Sequence, residues 1–134
     1  MMRTGKLLAV YATTWIIASF LLFPHAIGAP AAANADTERG RQLFEKRCTG
    51  CHSLDKNKEG PRLRGVYGRR SGSIPDFTYS DPLKASNIVW DERSLNEWLT
   101  NPETVVRDND MAFHVSDANE RAVIIQFLKA ASGK

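Results

Sequence analysis

The chain has 134 residues, a length that suits one domain. Its 18 basic and 15 acidic residues give a formal net charge of +3, and loss of a leader containing Arg3 and Lys6 would leave +1, from 16 basic residues against 15 acidic ones. A charge this small excludes a strongly basic surface, so we expect no nucleic acid partner.

The first 35 residues have the features of a secretory signal peptide. A basic start is followed by a largely apolar run at 7–23 and by an A-x-A cleavage signal that ends at Ala35. We therefore expect cleavage after Ala35, export to the periplasm and a mature domain of residues 36–134. The alternative is an uncleaved membrane anchor, although a run of 17 residues is short for crossing a bilayer.

The first helix of the mature chain is predicted over residues 36–47. Asp36 or Thr37 can cap its N-terminus. Gly40 interrupts the helix at a cost of about 1 kcal/mol. Its presence indicates that another element approaches the helix closely at this position.

The residues Cys48-Thr49-Gly50-Cys51-His52 follow this helix and form a C-x-x-C-H motif. The motif is the signature of covalent attachment of c-type haem, in which the two thiols add to the vinyl groups of the porphyrin. The histidine then lies against the haem and supplies an imidazole ligand to the iron. We predict one haem c held by Cys48 and Cys51, with His52 as an axial ligand.

Other uses of the cysteine pair stay as alternatives. A thioredoxin-like redox pair requires a βαβ context, and the sequence shows none. A zinc site requires four ligands, and outside the leader only His52 and His114 are available beside the cysteines. An exported chain also makes two cysteines a disulfide candidate, but the adjacent histidine favours haem.

Residues 53–80 are rich in glycine, proline and charged residues and have no sustained period, so we predict a loop. A loop of this length is unusual in a compact domain, but a cofactor that the loop wraps would explain it. The four arginines at positions 62, 64, 69 and 70 form a solvated surface, unless one of them pairs with a haem propionate. A short turn or helix is expected over 81–87.

Two further helices are predicted in the C-terminal part of the chain. The first covers residues 91–101 and ends before Pro102. Asp91 can cap it, and its apolar face is formed by Leu95, Trp98 and Leu99. The second covers residues 117–131 and begins with a sequence that resembles a capping box at 117–120. No strand pattern is found, and the chain is predicted to be all-α, with three main helices, short helical turns and long loops.

The loop predicted over residues 103–115 contains the candidates for the second axial ligand of the iron. Met111 is the only methionine outside the leader, and its polar surroundings give a purely structural methionine little apolar support. We predict Met111 as this ligand, because a thioether favours Fe(II) and raises the reduction potential. His114 or an open position is the alternative.

The mature chain resembles the class I cytochromes c of the mitochondrial type, as found in many bacteria, over nearly all of residues 36–134. The resemblance implies a single small all-α domain wrapped around one haem. Besides the C-x-x-C-H motif, it rests on several short motifs in the same order: Gly40, Phe44, Gly60-Pro61, Gly65-Val66-Tyr67-Gly68-Arg69, Phe77-Thr78-Tyr79-Ser80-Asp81, Ile88-Val89-Trp90, Trp98-Leu99, Asn101-Pro102 and Met111-Ala112-Phe113.

The resemblance also implies roles for individual residues. The Pro61 carbonyl would orient the His52 ring, an outer-shell contact that tunes a metal site. Gly40 would pack against the last helix near Phe127. A haem propionate would be bound by Arg69, Tyr79 and Trp90.

Three features depart from the family pattern. Trp98 stands where relatives often have a tyrosine near the methionine sulfur, which removes a hydroxyl donor. Residues 107–110 replace the usual Pro-Gly-Thr-Lys, so we expect a looser loop and easier displacement of Met111, with Asn109 replacing the threonine as a propionate donor. The lysines around the haem edge are also depleted, so association with partners should depend less on salt.

The function that the resemblance implies is that of an exported, monomeric, single-haem electron carrier rather than an enzyme. It would accept electrons from a quinol-oxidising complex or a periplasmic dehydrogenase and pass them to an oxidase or a reductase. The alternative is a haem peroxidase or a gas sensor with a displaceable sixth ligand.

Overall fold

The structure is a computed structural model that describes residues 29–134. Five helices follow one another in this part of the chain: α1 Ala29–Arg47, α2 Asp81–Ala85, α3 Glu92–Thr100, α4 Pro102–Val105 and α5 Ala118–Ala130. Within these residues the only β-type pairing is an isolated antiparallel bridge between Arg70 and Val89. The predicted all-α fold is therefore confirmed.

The N-terminal helix begins earlier than predicted. α1 starts at Ala29, so the proposed caps Asp36 and Thr37 lie inside it, and the predicted start at residue 36 is wrong for the full chain. The Thr37 hydroxyl donates to the carbonyl oxygen of Ala33 at 2.9 Å, one turn back. The alanines before Asp36 favour helix, and a chain cut after Ala35 would lack this first part.

The predicted leader is only partly covered by the described residues. Its basic start and its apolar run lie outside them. Among residues 29–134, no helix has the length and apolar character that a membrane span requires.

α1 and α5 pack against each other and approach closely at Gly40. A Cβ atom at this position would lie 2.7 Å from the carbonyl carbon of Val123 and 2.9 Å from the Cβ of Phe127, so only glycine fits. The rings of Phe44 and Phe127 lie 5.3 Å apart at the same interface. The close approach predicted from Gly40 is confirmed, and it anchors the two terminal helices to each other.

The long segment between α1 and α2 contains no helix, as predicted for residues 53–80. Backbone hydrogen bonds nevertheless hold it in place: Leu63 N donates to Ser53 O at 2.9 Å, and Trp90 N donates to Arg69 O at 2.9 Å. Val66 in this segment is buried in the core. The loop is therefore a fixed wall of the molecule.

Helix α3 is capped as predicted. The Asp91 carboxylate accepts from Ser94 N at 2.8 Å, and the Ser94 hydroxyl accepts from Asp91 N at 2.8 Å, which completes a capping box. The predicted apolar face is buried and consists of Leu95, Trp98 and Leu99.

The prediction of a loop over residues 103–115 is wrong for residues 103–105, which belong to the one-turn helix α4 that begins at Pro102. A proline suits the first helical position, where no backbone donor is needed. The side-chain oxygen of Asn101 accepts from Glu103 N at 3.1 Å and caps this turn.

Only half of the capping box predicted for α5 forms. The Asp117 carboxylate accepts from Asn119 N and Glu120 N at 2.7 and 3.0 Å. Glu120 forms an ion pair with Arg47 at 2.6 Å instead of returning to the cap. The pair ties the start of α5 to the end of α1.

Candidate functional site

A cavity of about 510 Å³ lies between the helices and the long loop. Its volume is within the range of roughly 300–1,000 Å³ that is typical of cofactor sites. Buried side chains of the hydrophobic core form its apolar wall: Val66, Leu95, Leu99, Ile124 and Leu128. Such a wall suits a large apolar ring system.

The end of α1 carries the C-x-x-C-H motif to the edge of this cavity. The chain continues in helical turns, with Cys48 N donating to Phe44 O and His52 N donating to Cys48 O, both at 2.8 Å. As a result Cys48, Cys51 and His52 all line the cavity. The prediction that these three side chains act at one site agrees with this geometry.

Cys48 and Cys51 are not joined to each other by a disulfide bond. Burial raises the pKa of the Cys48 thiol to about 11, whereas a redox-active cysteine of the thioredoxin type has a lowered pKa. Residues 29–134 also contain no group of three or more His, Cys, Asp or Glu side chains that could hold a metal ion. This part of the chain contains helices and one isolated bridge, so it does not provide the βαβ context of a thioredoxin-like pair.

The His52 ring is held in one orientation. Its Nδ1 lies 2.8 Å from the carbonyl oxygen of Pro61, which can only accept, so the proton is on Nδ1 and the Nε2 lone pair is free. Burial lowers the pKa of His52, although the bond to Pro61 acts in the opposite direction. The predicted role of Pro61 agrees with this contact.

Gly60 provides the space in which the His52 ring sits. A Cβ atom at Gly60 would lie 2.6 Å from Nδ1 and 2.8 Å from Nε2 of the ring. Any side chain here would push the imidazole out of its position. The Gly60-Pro61 pair thus both makes room for the ring and orients it.

Met111 lines the same cavity, from the segment that follows α4. The indole Nε1 of Trp98 donates to its sulfur at 3.0 Å. The hydroxyl that a tyrosine would offer is absent, as expected, but the indole N–H takes its place. His114 is exposed and is not among the residues that line the cavity.

The residues predicted to bind a propionate, Arg69, Tyr79 and Trp90, also line the cavity. The Arg69 guanidinium donates to the carbonyl oxygens of Arg62 and Arg64 at 3.0 and 3.1 Å. Burial lowers the pKa of Arg69 and raises that of Tyr79.

Ser80 adds a further polar group to this wall of the cavity. Its hydroxyl oxygen is buried and has no hydrogen-bond partner among the described residues. A buried polar group without a partner is costly. A partly buried guanidinium and an orphaned hydroxyl that line the same cavity fit a bound group that carries carboxylates.

Asn109 is placed differently from the other predicted site residues. It is half-buried and does not line the cavity. Its amide nitrogen donates to Glu103 Oε2 at 3.2 Å and to the Val106 carbonyl oxygen at 2.8 Å. Both N–H groups are therefore used within its own loop rather than directed at the cavity.

Sequence reasoning missed Arg121, which is only 9% exposed. Its side chain donates to Asn96 Oδ1 and Val115 O, both at 2.8 Å, and to Ser116 O at 2.9 Å. These bonds fix the chain that follows Met111 onto α3 and α5. A signal was available, because position 121 precedes the buried Ile124 and Leu128 at helical spacing.

Comparison with known proteins agrees with this site. A family model for cytochrome c matches residues 37–132. Cytochrome c of Euglena viridis is 45% identical over 97 residues, which cover 70% of this chain and 95% of that protein. Cytochrome c of Theileria annulata is 41% identical over 103 residues, which cover 74% and 89%.

A solved structure, that of cytochrome cH from Methylobacterium extorquens, superimposes with a TM-score of 0.67 at 36% identity, covering 71% of this chain and 98% of the other. The C-x-x-C-H motif, the apolar cavity and the oriented histidine fit the covalently attached haem c of this family. Its members carry electrons and are not enzymes. The chain belongs to the cytochrome c family and is a haem-based electron carrier.

Proposed function

We propose that this chain is an exported carrier of single electrons in which Cys48 and Cys51 hold one haem c and His52 and Met111 are the axial ligands. The observation that carries the proposal is that these four side chains line one apolar cavity. When bound, the haem supplies an iron that alternates between Fe(II) and Fe(III).

The part of His52 is to present a neutral nitrogen in a defined direction. Nδ1 donates its proton to the Pro61 carbonyl oxygen, with 2.8 Å between the two heavy atoms. Nε2 is therefore the nitrogen available as an iron ligand. Such outer-shell hydrogen bonds fix the ring and raise its basicity as a ligand. The absence of a side chain at Gly60 leaves the space that the ring occupies.

The part of Met111 is to occupy the second axial position and to exclude other ligands from it. Trp98 N–H holds its sulfur at 3.0 Å. A thioether ligand favours Fe(II), and an occupied sixth position leaves a peroxide or gas no free site. The exposed position of His114 supports Met111 as the ligand.

Arg69, Tyr79 and Trp90 form the proposed propionate site at the polar side of the cavity. The Arg69 guanidinium brings positive charge there, and the apolar residues on the remaining walls exclude water. Lower polarity strengthens the attraction between the guanidinium and a carboxylate.

The location and the partners are proposed from the sequence. The signal-peptide features of the first 35 residues support export to the periplasm, with the protein membrane-bound only if the leader is retained. We propose a monomer that accepts electrons from a quinol-oxidising complex or a dehydrogenase and delivers them to an oxidase or a reductase. Intact mass spectrometry tests the export step: a mature protein starts at Asp36, whereas an anchored one keeps Met1 or Met2.

The ligand assignment is tested by visible spectra and reduction potentials of the haem-loaded wild type, Met111→Ala and His114→Ala. We expect Met111→Ala to lose the absorption band of the ferric iron–thioether bond, to bind cyanide rapidly and to have a lower potential. His114→Ala, the matched control on the same segment, should resemble wild type. An unchanged spectrum in Met111→Ala would overturn the assignment.

A further inference from the structure

We infer that Glu103 and Asn109 act as positioning residues that hold Met111 at the second axial position. The inference rests on the proposed function, because it assumes that Met111 is an iron ligand. It assigns to the two residues a role that differs from the propionate binding expected for Asn109.

The contacts form a continuous chain from α4 to the methionine. The carboxylate of Glu103 accepts from Asp108 N through Oε1 and from Asn109 Nδ2 through Oε2, both at 3.2 Å. The side-chain oxygen of Asn109 in turn accepts from Met111 N at 2.8 Å. Glu103 thus reaches the backbone of Met111 through one intervening side chain.

The loop needs such support because of its backbone conformation. Asp108 has φ +58°, in the left-handed region that residues other than glycine rarely adopt. In the usual Pro-Gly-Thr-Lys sequence a glycine would occupy this position without strain, and the proline before it would stiffen the turn. In this chain Arg107 and Asp108 provide neither advantage, and the Glu103 carboxylate holds the Asp108 N–H instead.

The side chain of Asn109 has no N–H donor left for a propionate. An amide offers two N–H donors and one acceptor oxygen. The donors go to Glu103 and to the carbonyl oxygen of Val106, and the oxygen is used by Met111 N. Each of its bonds therefore fixes the turn that ends at the ligand.

The experiment is an imidazole titration of the haem-loaded ferric protein, since imidazole competes with Met111 for the iron. We expect Glu103→Ala to raise the apparent imidazole affinity about three- to tenfold, because loss of hydrogen bonds to a charged group shifts the loop toward release. Asn109→Ala should raise it at least as much. Glu97→Ala is the control, because it removes an exposed acid and its ion pair with Arg93 on α3 without touching the loop.

Coupling between the two residues is tested with the double variant. If Glu103 acts mainly through Asn109 rather than through its separate bond to Asp108 N, the imidazole affinity of Glu103→Ala/Asn109→Ala should exceed that of Asn109→Ala by no more than about twofold. If the two single increases in imidazole affinity multiply in the double variant, Glu103 and Asn109 act independently and the coupling is overturned. Equal imidazole affinities of Glu103→Ala and Glu97→Ala would overturn the positioning role.

Failure of the inference can be told apart from failure of the proposed function. If Met111 is not the ligand, the wild type lacks the iron–thioether absorption band and Met111→Ala does not change the spectrum. If only the positioning role is wrong, the wild type has that band, Met111→Ala loses it, and Glu103→Ala leaves imidazole binding as in wild type. Urea unfolding of each variant checks that the fold is retained.

Discussion

The indole nitrogen of Trp98 lies 3.0 Å from the sulfur of Met111 and donates a hydrogen bond to it. Trp98 is buried on α3 and packs edge-on against Trp90, with ring centroids 5.3 Å apart. The donor therefore has a fixed position, and the sulfur is held by a group from a different part of the chain. With tryptophan instead of tyrosine at this position, the sulfur still has a hydrogen-bond donor, but the donor is an indole N–H rather than a hydroxyl.

Replacement of Trp98 by phenylalanine should lower the reduction potential. The N–H group withdraws electron density from the sulfur and so favours Fe(II), and its loss should lower the potential by up to roughly 60 mV, the equivalent of one hydrogen bond. Redox titration of the haem-loaded protein measures this. Trp98→Tyr restores a hydroxyl donor and should recover part of the shift, and a Trp98→Phe potential equal to wild type would contradict the assigned role.

Replacement of Gly40 by alanine should destabilise the fold. The added Cβ would overlap the backbone of Val123 and the Cβ of Phe127, and overpacking of this kind costs about 3 kcal/mol. Urea unfolding gives the change in the free energy of unfolding. Gly50→Ala is the control, because a Cβ at Gly50 meets nothing within 4 Å; equal stability of the two variants would rule out the packing argument.

Asp108 should tolerate glycine better than alanine. The left-handed backbone at φ +58° costs an alanine about 1 kcal/mol, whereas glycine adopts it freely. We expect Asp108→Ala to be less stable in urea than wild type and Asp108→Gly to be clearly more stable than Asp108→Ala. The reverse order would show that this turn does not have the conformation described.

Acid should destabilise the protein partly through its helix caps. Backbone N–H groups of Ser94 and Glu120 lower the pKa of Asp91 and Asp117 below the ordinary value of 3.8. A lowered folded-state pKa means that the stabilisation is present above the unfolded pKa and is lost as the pH falls through the folded one.

The unfolding midpoint in urea, followed from about pH 5 to pH 2, measures this effect. An asparagine in place of Asp117 still caps the helix but carries no charge. Asp117→Asn should therefore lose less stability than wild type over this range. Parallel curves for the two proteins would exclude a contribution from this carboxylate.

Much of the site could be predicted from sequence because its chemistry lies in short motifs. Cys48, Cys51 and His52 are neighbours on one turn. Met111 is the only methionine outside the predicted leader, so there were few candidates for the second ligand. The role of Gly40 was predictable for a similar reason, since a glycine inside a helix lowers its stability and so indicates a close neighbour that leaves no room for a side chain.

The remaining features depend on contacts between distant segments. Helical spacing could indicate that position 121 is buried, but not that the carbonyl oxygens of Val115 and Ser116 accept hydrogen bonds from the Arg121 side chain. Asn109 resembles a propionate donor in sequence, but its bonds to Glu103 and Val106 exist only once α4 has formed. The early start of α1 agrees with the helix propensity of the alanines before Asp36, which the predicted cleavage site led us to leave out of the helix.

The most direct measurement is the intact mass of the protein, together with its visible spectrum, after production in a host that attaches haem c. If haem is covalently attached, the protein should be red. Its mass should exceed that of the polypeptide by one haem, and denaturation should leave this mass unchanged. The polypeptide of a Cys48→Ala/Cys51→Ala variant should be colourless once it has been denatured and separated from unbound haem. A colourless wild type at the mass of the bare polypeptide would contradict haem attachment at this site.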